Sequence, residues 1–298
     1  MSQKDREVSE QHYTSYVHPD DAKRAADQRL SVSIEGIEHA PSIITLSEMI
    51  ERALTLSHSY PLIFSTITGS HAFGYASPLS DYDVRGAHLL SLHQVLGFAL
   101  SGETVEFKSS IGKDSEIDIA THDLKKFLLL LLKGNGNILE DLYSPLVVTT
   151  SPLHDEIKAL GKGCITKMCA SHYRGMAYNQ QRHARTAFRS SDIKRILHTY
   201  RCLLTGIHLM RTGTLEMNIP ALAVEYEQPQ VLDVIEDKLG GIDGIDNDET
   251  KRHEPIIALL HERLDHEQKV STLPDKAGAS TRSALEGLLI RARMNNEC

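Results

Sequence analysis

Apolar positions change their period twice along this chain, and the changes divide it. Residues 1 to about 40 carry no sustained apolar repeat and read as a polar N-terminal extension. From Ser42 onward Ile44, Leu46, Met49, Ile50, Ala53 and Leu54 recur at helical spacing, with Thr45 or Ser47 as cap and Pro61 as stop. Leu62 to Thr68 is short, apolar and β-branched, which predicts a buried strand bounded by Gly69. A turn of helix is expected over 70–76, then a loop to Ser80 and a second strand over 83–90. The segments 103–108 and 116–120 suit two further strands. Asp123 then caps a helix over 124–133, which Gly134-Asn135-Gly136 stops.

Beyond Pro152 only helical periods remain, over about 153–178, 191–212, 228–239, 254–270 and 280–294, with a break at Gly240–Asp246. One helix, four strands and a helix, followed by helices alone, predict an α+β fold. The expected division is a head with a small mixed β-sheet and flanking helices over 41–150, then an all-helical domain over 151–298.

Composition narrows the class of protein. Apolar residues make up 41% and charged residues 24%, as in an ordinary soluble globular chain. The longest apolar run, Phe127 to Leu132, lies between Lys126 and Lys133 and is far short of the roughly 18 residues that span a bilayer. The polar, mixed-charge N-terminus does not read as a secretory leader, so no membrane association and a cytoplasmic location are expected. Cys164, Cys169, Cys202 and Cys298 form neither a CxxC pair nor a zinc-type spacing, and free thiols are the plain reading.

The net charge of −8 conceals a split. From Lys158 to Arg211 there are eleven Lys or Arg and one acid, Asp192, a net of +10. From Glu225 to Glu267 thirteen acids face four Lys or Arg, a net of −9. The basic stretch suits a phosphate backbone, although a solvated helix face is the usual meaning of such a run. Against a nucleic-acid partner stands an aromatic content of 5% with no tryptophan, which leaves few rings for bases to stack on.

The chemistry concentrates in Gly69-Ser70 and Asp81-Tyr82-Asp83. A small residue at the end of a strand and the start of a helix lets backbone N–H groups approach phosphate, and Ser70 adds a hydroxyl donor. Asp81 and Asp83 are two apart on an extended segment, so both side chains leave one face about 7 Å apart. That spacing suits carboxylates straddling two divalent cations about 3.5–4 Å apart. Asp118, between Ile117 and Ile119, is the best third carboxylate, because the isoleucines face the core and turn it to the opposite side; Glu116 is a weaker substitute. Arg85 lies on the acid face, where it meets either a phosphate or an aspartate. His122 reads as a loop histidine. An isolated Asp-x-Asp is commonly a solvated turn; the ordered series of strand, Gly-Ser, Asp-x-Asp and flanked acid sets this one apart.

The run Gly69-Ser70-His71-Ala72-Phe73-Gly74-Tyr75-Ala76-Ser77-Pro78-Leu79-Ser80-Asp81-Tyr82-Asp83-Val84-Arg85-Gly86 resembles the signature of DNA polymerase β-type nucleotidyltransferases. More narrowly it is similar to the RNA-repair-pathway polymerase β family of bacteria and phages. The stretches Ile117-Asp118-Ile119, Leu139 to Val147 and Ile193 to Arg201 share that likeness, which extends over roughly residues 60–220. The resemblance implies an NTP and Mg²⁺, or Mn²⁺, at Gly69, Ser70, Asp81, Asp83 and Asp118, with the helical domain closing the cleft. It also implies a cation from the helical domain on the β/γ-phosphates. Lys194 is the first choice, then Arg195 and Arg201; Lys194, His198 and Arg201 share one helix face. Tyr200 is read as packing, and His172-Tyr173-Arg174 and Arg182 as weaker acceptor-side residues.

The expected activity is transfer of a nucleoside monophosphate from an NTP to an acceptor hydroxyl, with an RNA or tRNA end favoured by the 158–211 segment. The alternatives are transfer to a protein or small molecule, or a catalytically silent module that senses nucleotide or binds a partner.

Overall fold

The computed structural model describes residues 46–295 apart from 58, 78, 99–101, 112–114, 187–190, 243 and 246. The predicted polar extension and the Thr45 cap lie outside the described residues.

Five strands form a mixed sheet in the order β3-β4-β2-β1-β5, where β1 is Leu62–Ile67, β2 Tyr82–His88, β3 Thr104–Ile111, β4 Ser115–Asp123 and β5 Val147–Thr149. β1 runs antiparallel to β2 and to β5, and β3 antiparallel to β4, but β2 and β4 are parallel. Helix α1 (Leu46–Ser57) covers one face, packing Ile50, Ala53 and Leu54 on Val84, Ile117 and Ile119. Alternation along β2 and β4 sends Asp83, Arg85 and Asp118 to the other face.

On that second face α4 (Leu124–Leu132) packs against the ends of β2 and β4, with Phe127 edge-on to Phe64 of β1, while α5 (Gly136–Tyr143) and α6 (Pro152–Gly161) close the face along β1. In α4, Leu124, Phe127, Leu128 and Leu131 are buried at i, i+3, i+4 and i+7, and Asp123 caps its first turn as expected by accepting the Lys125 N–H. The apolar core then continues without interruption into α7 (Met168–Thr186), α8 (Ile193–Thr212), α9 (Ile219–Glu225), α10 (Pro229–Leu239), α11 (Asn247–Val270) and α12 (Ala279–Asn295). Cys164, Cys169 and Cys202 are buried free thiols. No helix among the described residues is long and apolar enough to cross a membrane.

The expected α+β architecture is observed, with three departures. Gly134-Asn135-Gly136 not only stops α4 but starts α5: Gly134 takes φ +69°, and the Asn135 side chain accepts the Ile138 N–H. A fifth strand, β5, and two short helices, α3 (Leu92–Leu96) and α9, are added. α3 rests on a reciprocal cap, Ser91 with Gln94, too short to show an apolar period. The loop read at 240–246 holds Gly244–Ile245, which pairs with Ser191–Asp192 in a two-stranded ribbon.

The last helix is tied back to the sheet by buried charge. Arg293 donates to Leu90 O (2.6 Å) and to Asp123 Oδ2 (2.7 Å), while Asp123 also accepts the Leu90 and Lys125 N–H groups. Replacing Arg293 by Ala leaves Asp123 buried without its counter-ion, and a loss of about 3–5 kcal/mol in urea unfolding is expected. A double variant, Arg293→Ala with Asp123→Asn, should lose less than the sum of the two single changes.

Candidate active site

β1 ends where Thr68 N–H donates to Asp83 O (2.8 Å), and Gly69 turns the chain at φ +65° into α2 (Gly69–Ala72). A methyl group added at Gly69 would lie 2.1 Å from Asp83 Oδ2. Glycine is therefore required twice, for the backbone angle and for the close approach. The predicted phosphate turn and the Asp-x-Asp motif are thus in direct contact.

Asp83 and Asp118 are register partners on the parallel strands β2 and β4, so their carboxylates stand side by side on one face. Lys108 is Asp118's partner on β3, and its Nζ lies 3.2 Å from Asp118 Oδ2. Arg85 donates to Asp83 Oδ1 (2.8 Å) and to Asp118 O (2.6 Å), with its Nη1 3.6 Å from Asp118 Oδ1. Burial raises the pKa of Asp83; Arg85 opposes this, and Asp118 and Asp81 reinforce it. Asp81 stands apart from the pair, its Oδ1 accepting the Glu116 N–H (3.0 Å). Among the described residues no three His, Cys, Asp or Glu side chains are grouped so as to hold a metal ion. Asp83 and Asp118 form a pair of hard oxygen donors, while one oxygen of Asp81 is occupied by the Glu116 N–H.

The cations predicted on α8 separate. Lys194 is exposed and Arg195 half-buried at the start of the helix, whereas Arg201, about 10 Å further along, is 1% exposed. Arg201 Nη1 donates to both oxygens of Glu140 (2.6 and 2.7 Å), which also accepts from Tyr173 OH, and its guanidinium lies 4.3 Å from the Phe73 ring centre. Its Nη2 faces His198 Nε2 at 3.2 Å, and burial together with Arg201 pushes the His198 pKa down to about 3. This placement corrects the expectation for Arg201 as a β/γ-phosphate cation: it shares a helix face with Lys194 and His198, but that face descends into the core, where Glu140 holds it. Other charges of the basic stretch are also held internally, Arg174 by Asp265 (2.6 Å) and Lys167 by Asp275 (3.7 Å).

Several residues of the site carried no sequence signal of their own. The loop after α2 is fastened by the C-terminal helices: Ile219 N–H donates to Phe73 O (2.9 Å), and Lys238 Nζ to Tyr75 O (2.9 Å). Gly74, at φ +81°, leaves room for the Asn218 side chain. His71 stacks on Tyr82 at 4.3 Å, with its Nε2 buried and without a hydrogen-bond partner. Asp141, beside Glu140 on α5, is buried, and desolvation pushes its pKa up to about 8 against the pull of Arg85. Adjacent acids inside Ile138-Leu139-Glu140-Asp141-Leu142 were the available sign, since an apolar helix rarely carries two.

A mixed sheet with a Gly-Ser turn set against paired aspartates is the arrangement expected from the resemblance to polymerase β-type proteins. The chain belongs to the RNA repair pathway DNA polymerase beta family, whose model matches residues 44–291. The match is wider than the 60–220 read from sequence, so α1 and the helices after α8 belong to the family frame. An uncharacterized protein of Methanocaldococcus jannaschii, MJ0002, is 32% identical over 153 residues, 51% of this chain and 61% of that protein. The chain thus spans about three fifths of that curated relative's length.

Two outcomes follow from this geometry. Gly69→Ala places its methyl against Asp83, and its loss of stability should exceed the about 1 kcal/mol typical of point mutations in general, measured by thermal unfolding. For Asp141, the folded-state pKa is raised, so its contribution to stability is full below about pH 4 and is lost as pH rises towards about 8. Across that window wild-type stability should fall by up to about 1.4 kcal/mol per pH unit more than that of Asp141→Asn; parallel pH profiles would refute the assignment.

Proposed function

We propose that this protein transfers a nucleoside monophosphate from an NTP to an acceptor hydroxyl, and that the acceptor is an RNA or tRNA end. The observation that carries the reading is the in-register pair Asp83–Asp118 held against the Gly69 turn. In the reaction the acceptor oxygen bonds to the α-phosphorus, the bond from that phosphorus to the bridging oxygen breaks, and pyrophosphate leaves with the electron pair. The hydroxyl proton passes to solvent or to a carboxylate of the pair. The backbone at Gly69 and Ser70 and the Ser70 hydroxyl cradle the triphosphate. Arg85 limits the repulsion between the carboxylates and the incoming phosphate. Lys194, exposed, and Arg195, half-buried, at the start of α8 are the cations assigned to the β/γ-phosphates.

Asp81, Asp83 and Asp118 are the ligands expected for Mg²⁺ or Mn²⁺. A divalent cation bound there would neutralise the triphosphate and align it with the acceptor.

A second reading keeps the fold without turnover, as a module that senses nucleotide or binds a partner. It is favoured by one feature, the engagement of Asp81 with the Glu116 amide. Incubation with each α-labelled NTP, Mg²⁺ or Mn²⁺, and RNA, protein or small-molecule acceptors separates the two. Transfer of label that falls at least about 100-fold in Asp83→Asn and in Asp118→Asn is the expected result. An NTP-dependent thermal shift with no transfer under any condition would leave the silent module.

A further inference from the structure

We propose that the uncovered strip of sheet from Lys108 past Ala120 to Lys126 seats the acceptor, and that the acceptor is the single-stranded end of an RNA. The proposal rests on the nucleotidyl-transfer reading and adds where the second substrate lies.

The two flanks of the Asp83–Asp118 pair differ. Toward β1 the face is closed: Thr66 is fully buried, and its hydroxyl donates to Asp141 O (2.7 Å) under α5. Toward β4 and β3 no helix among the described residues covers the face beyond the first turn of α4. α1 covers only the back of these strands, Ala120 is half-buried, and the Lys108 side chain on the edge strand is 68% exposed. The triphosphate turn occupies the closed flank, so a macromolecule reaches the pair across the open one.

The open strip has the parts that a nucleotide strand needs. Lys108 marks one end, opposite Asp118. The small Ala120 keeps the floor low, and His122 follows on the same face, half-buried, with Nδ1 3.1 Å from Thr104 Oγ1. Lys126, in the first turn of α4, donates to the same Thr104 hydroxyl and marks the other end. Lys108 and Thr104 are four residue steps apart along β3, about 13 Å, room for more than one nucleotide. Lysines at the ends suit backbone phosphates, and a flat ring on the floor suits a base. Burial, with Lys126 adding to it, pushes the His122 pKa down to about 4, so the ring is neutral at ordinary pH and stacks without a charge. Glu106, exposed and opposite Ala120, repels phosphate from the middle of the strip and can accept from a ribose 2′-hydroxyl there. Lys167, Arg174 and Arg201 of the 158–211 stretch face acids away from the pair, whereas the acid that Lys108 faces, at 3.2 Å, is Asp118 of the pair itself.

The test is fluorescence anisotropy of a 5′-labelled single-stranded RNA with a free 3′-hydroxyl, bound to the full chain at several salt concentrations. Thermal shift with NTP and Mg²⁺ is measured in parallel. Wild type is expected to bind RNA, and the slope of log K against log salt should fall by about 0.7–1 in Lys108→Ala and again in Lys126→Ala. Lys126→Arg should keep the slope, and Glu106→Gln should shrink the preference for RNA over the matching DNA. Unchanged slopes in both alanine variants overturn the proposal. So does a wild type that binds NTP but no RNA, or that labels only protein; either leaves nucleotidyl transfer standing. A wild type that binds neither NTP nor RNA removes both readings.

Discussion

The site depends on β2 and β4 lying parallel and in register. Parallel neighbours cannot be joined by a tight turn, and here the chain leaves β2, crosses α3, runs out along β3 and returns as β4 between them. A slip of one residue would turn Asp118 towards α1 and Ile119 into the site, because side chains alternate strictly along a strand. Ile117 and Ile119, buried against Ile50 and Leu54, hold the register from the back of the sheet. The apolar face thereby determines where the carboxylates stand, and the Gly69 turn then fits against one of them.

Charge is arranged in two depths. Near the surface, Asp83 and Asp118 are partly exposed and balanced by Arg85 and Lys108, which are light enough contacts to be exchanged for a ligand. Deep in the core, Arg201 and Glu140 form a pair with almost no exposure. Such a pair adds little net stability over an apolar substitute, but it is unforgiving of the loss of one partner. Its use here is positional. It joins α5 to α8 and presents a guanidinium to Phe73, while Ile219 and Lys238 hold the carbonyls of Phe73 and Tyr75. The C-terminal helices therefore hold the loop that follows the Gly69 turn, which accords with a family match reaching residue 291.

The central strands, α1 and α4 were legible because their apolar positions recur at clear periods and their caps are local. Asp83 and Asp118 were legible as acids set among β-branched residues. β5, α3 and α9 were not, being too short for a period to register; the double use of Gly134-Asn135-Gly136 hid the start of α5. Arg201 was misjudged because helical spacing shows which residues share a face, not whether that face meets solvent or core. Lys108 and Lys238 gain their positions from strand register and tertiary packing, which no local pattern of residues encodes.

Whether the paired aspartates act as a cation-dependent nucleotide site is tested most directly by calorimetry with a non-hydrolysable NTP. The titration is run in Mg²⁺, in Mn²⁺ and in EDTA, on wild type and on the Asp83→Asn, Asp118→Asn double variant. Binding that requires a divalent cation and is lost in the double variant is the expected result. Equal affinity in EDTA, or in the double variant, would contradict the assignment of Asp83 and Asp118 to that site.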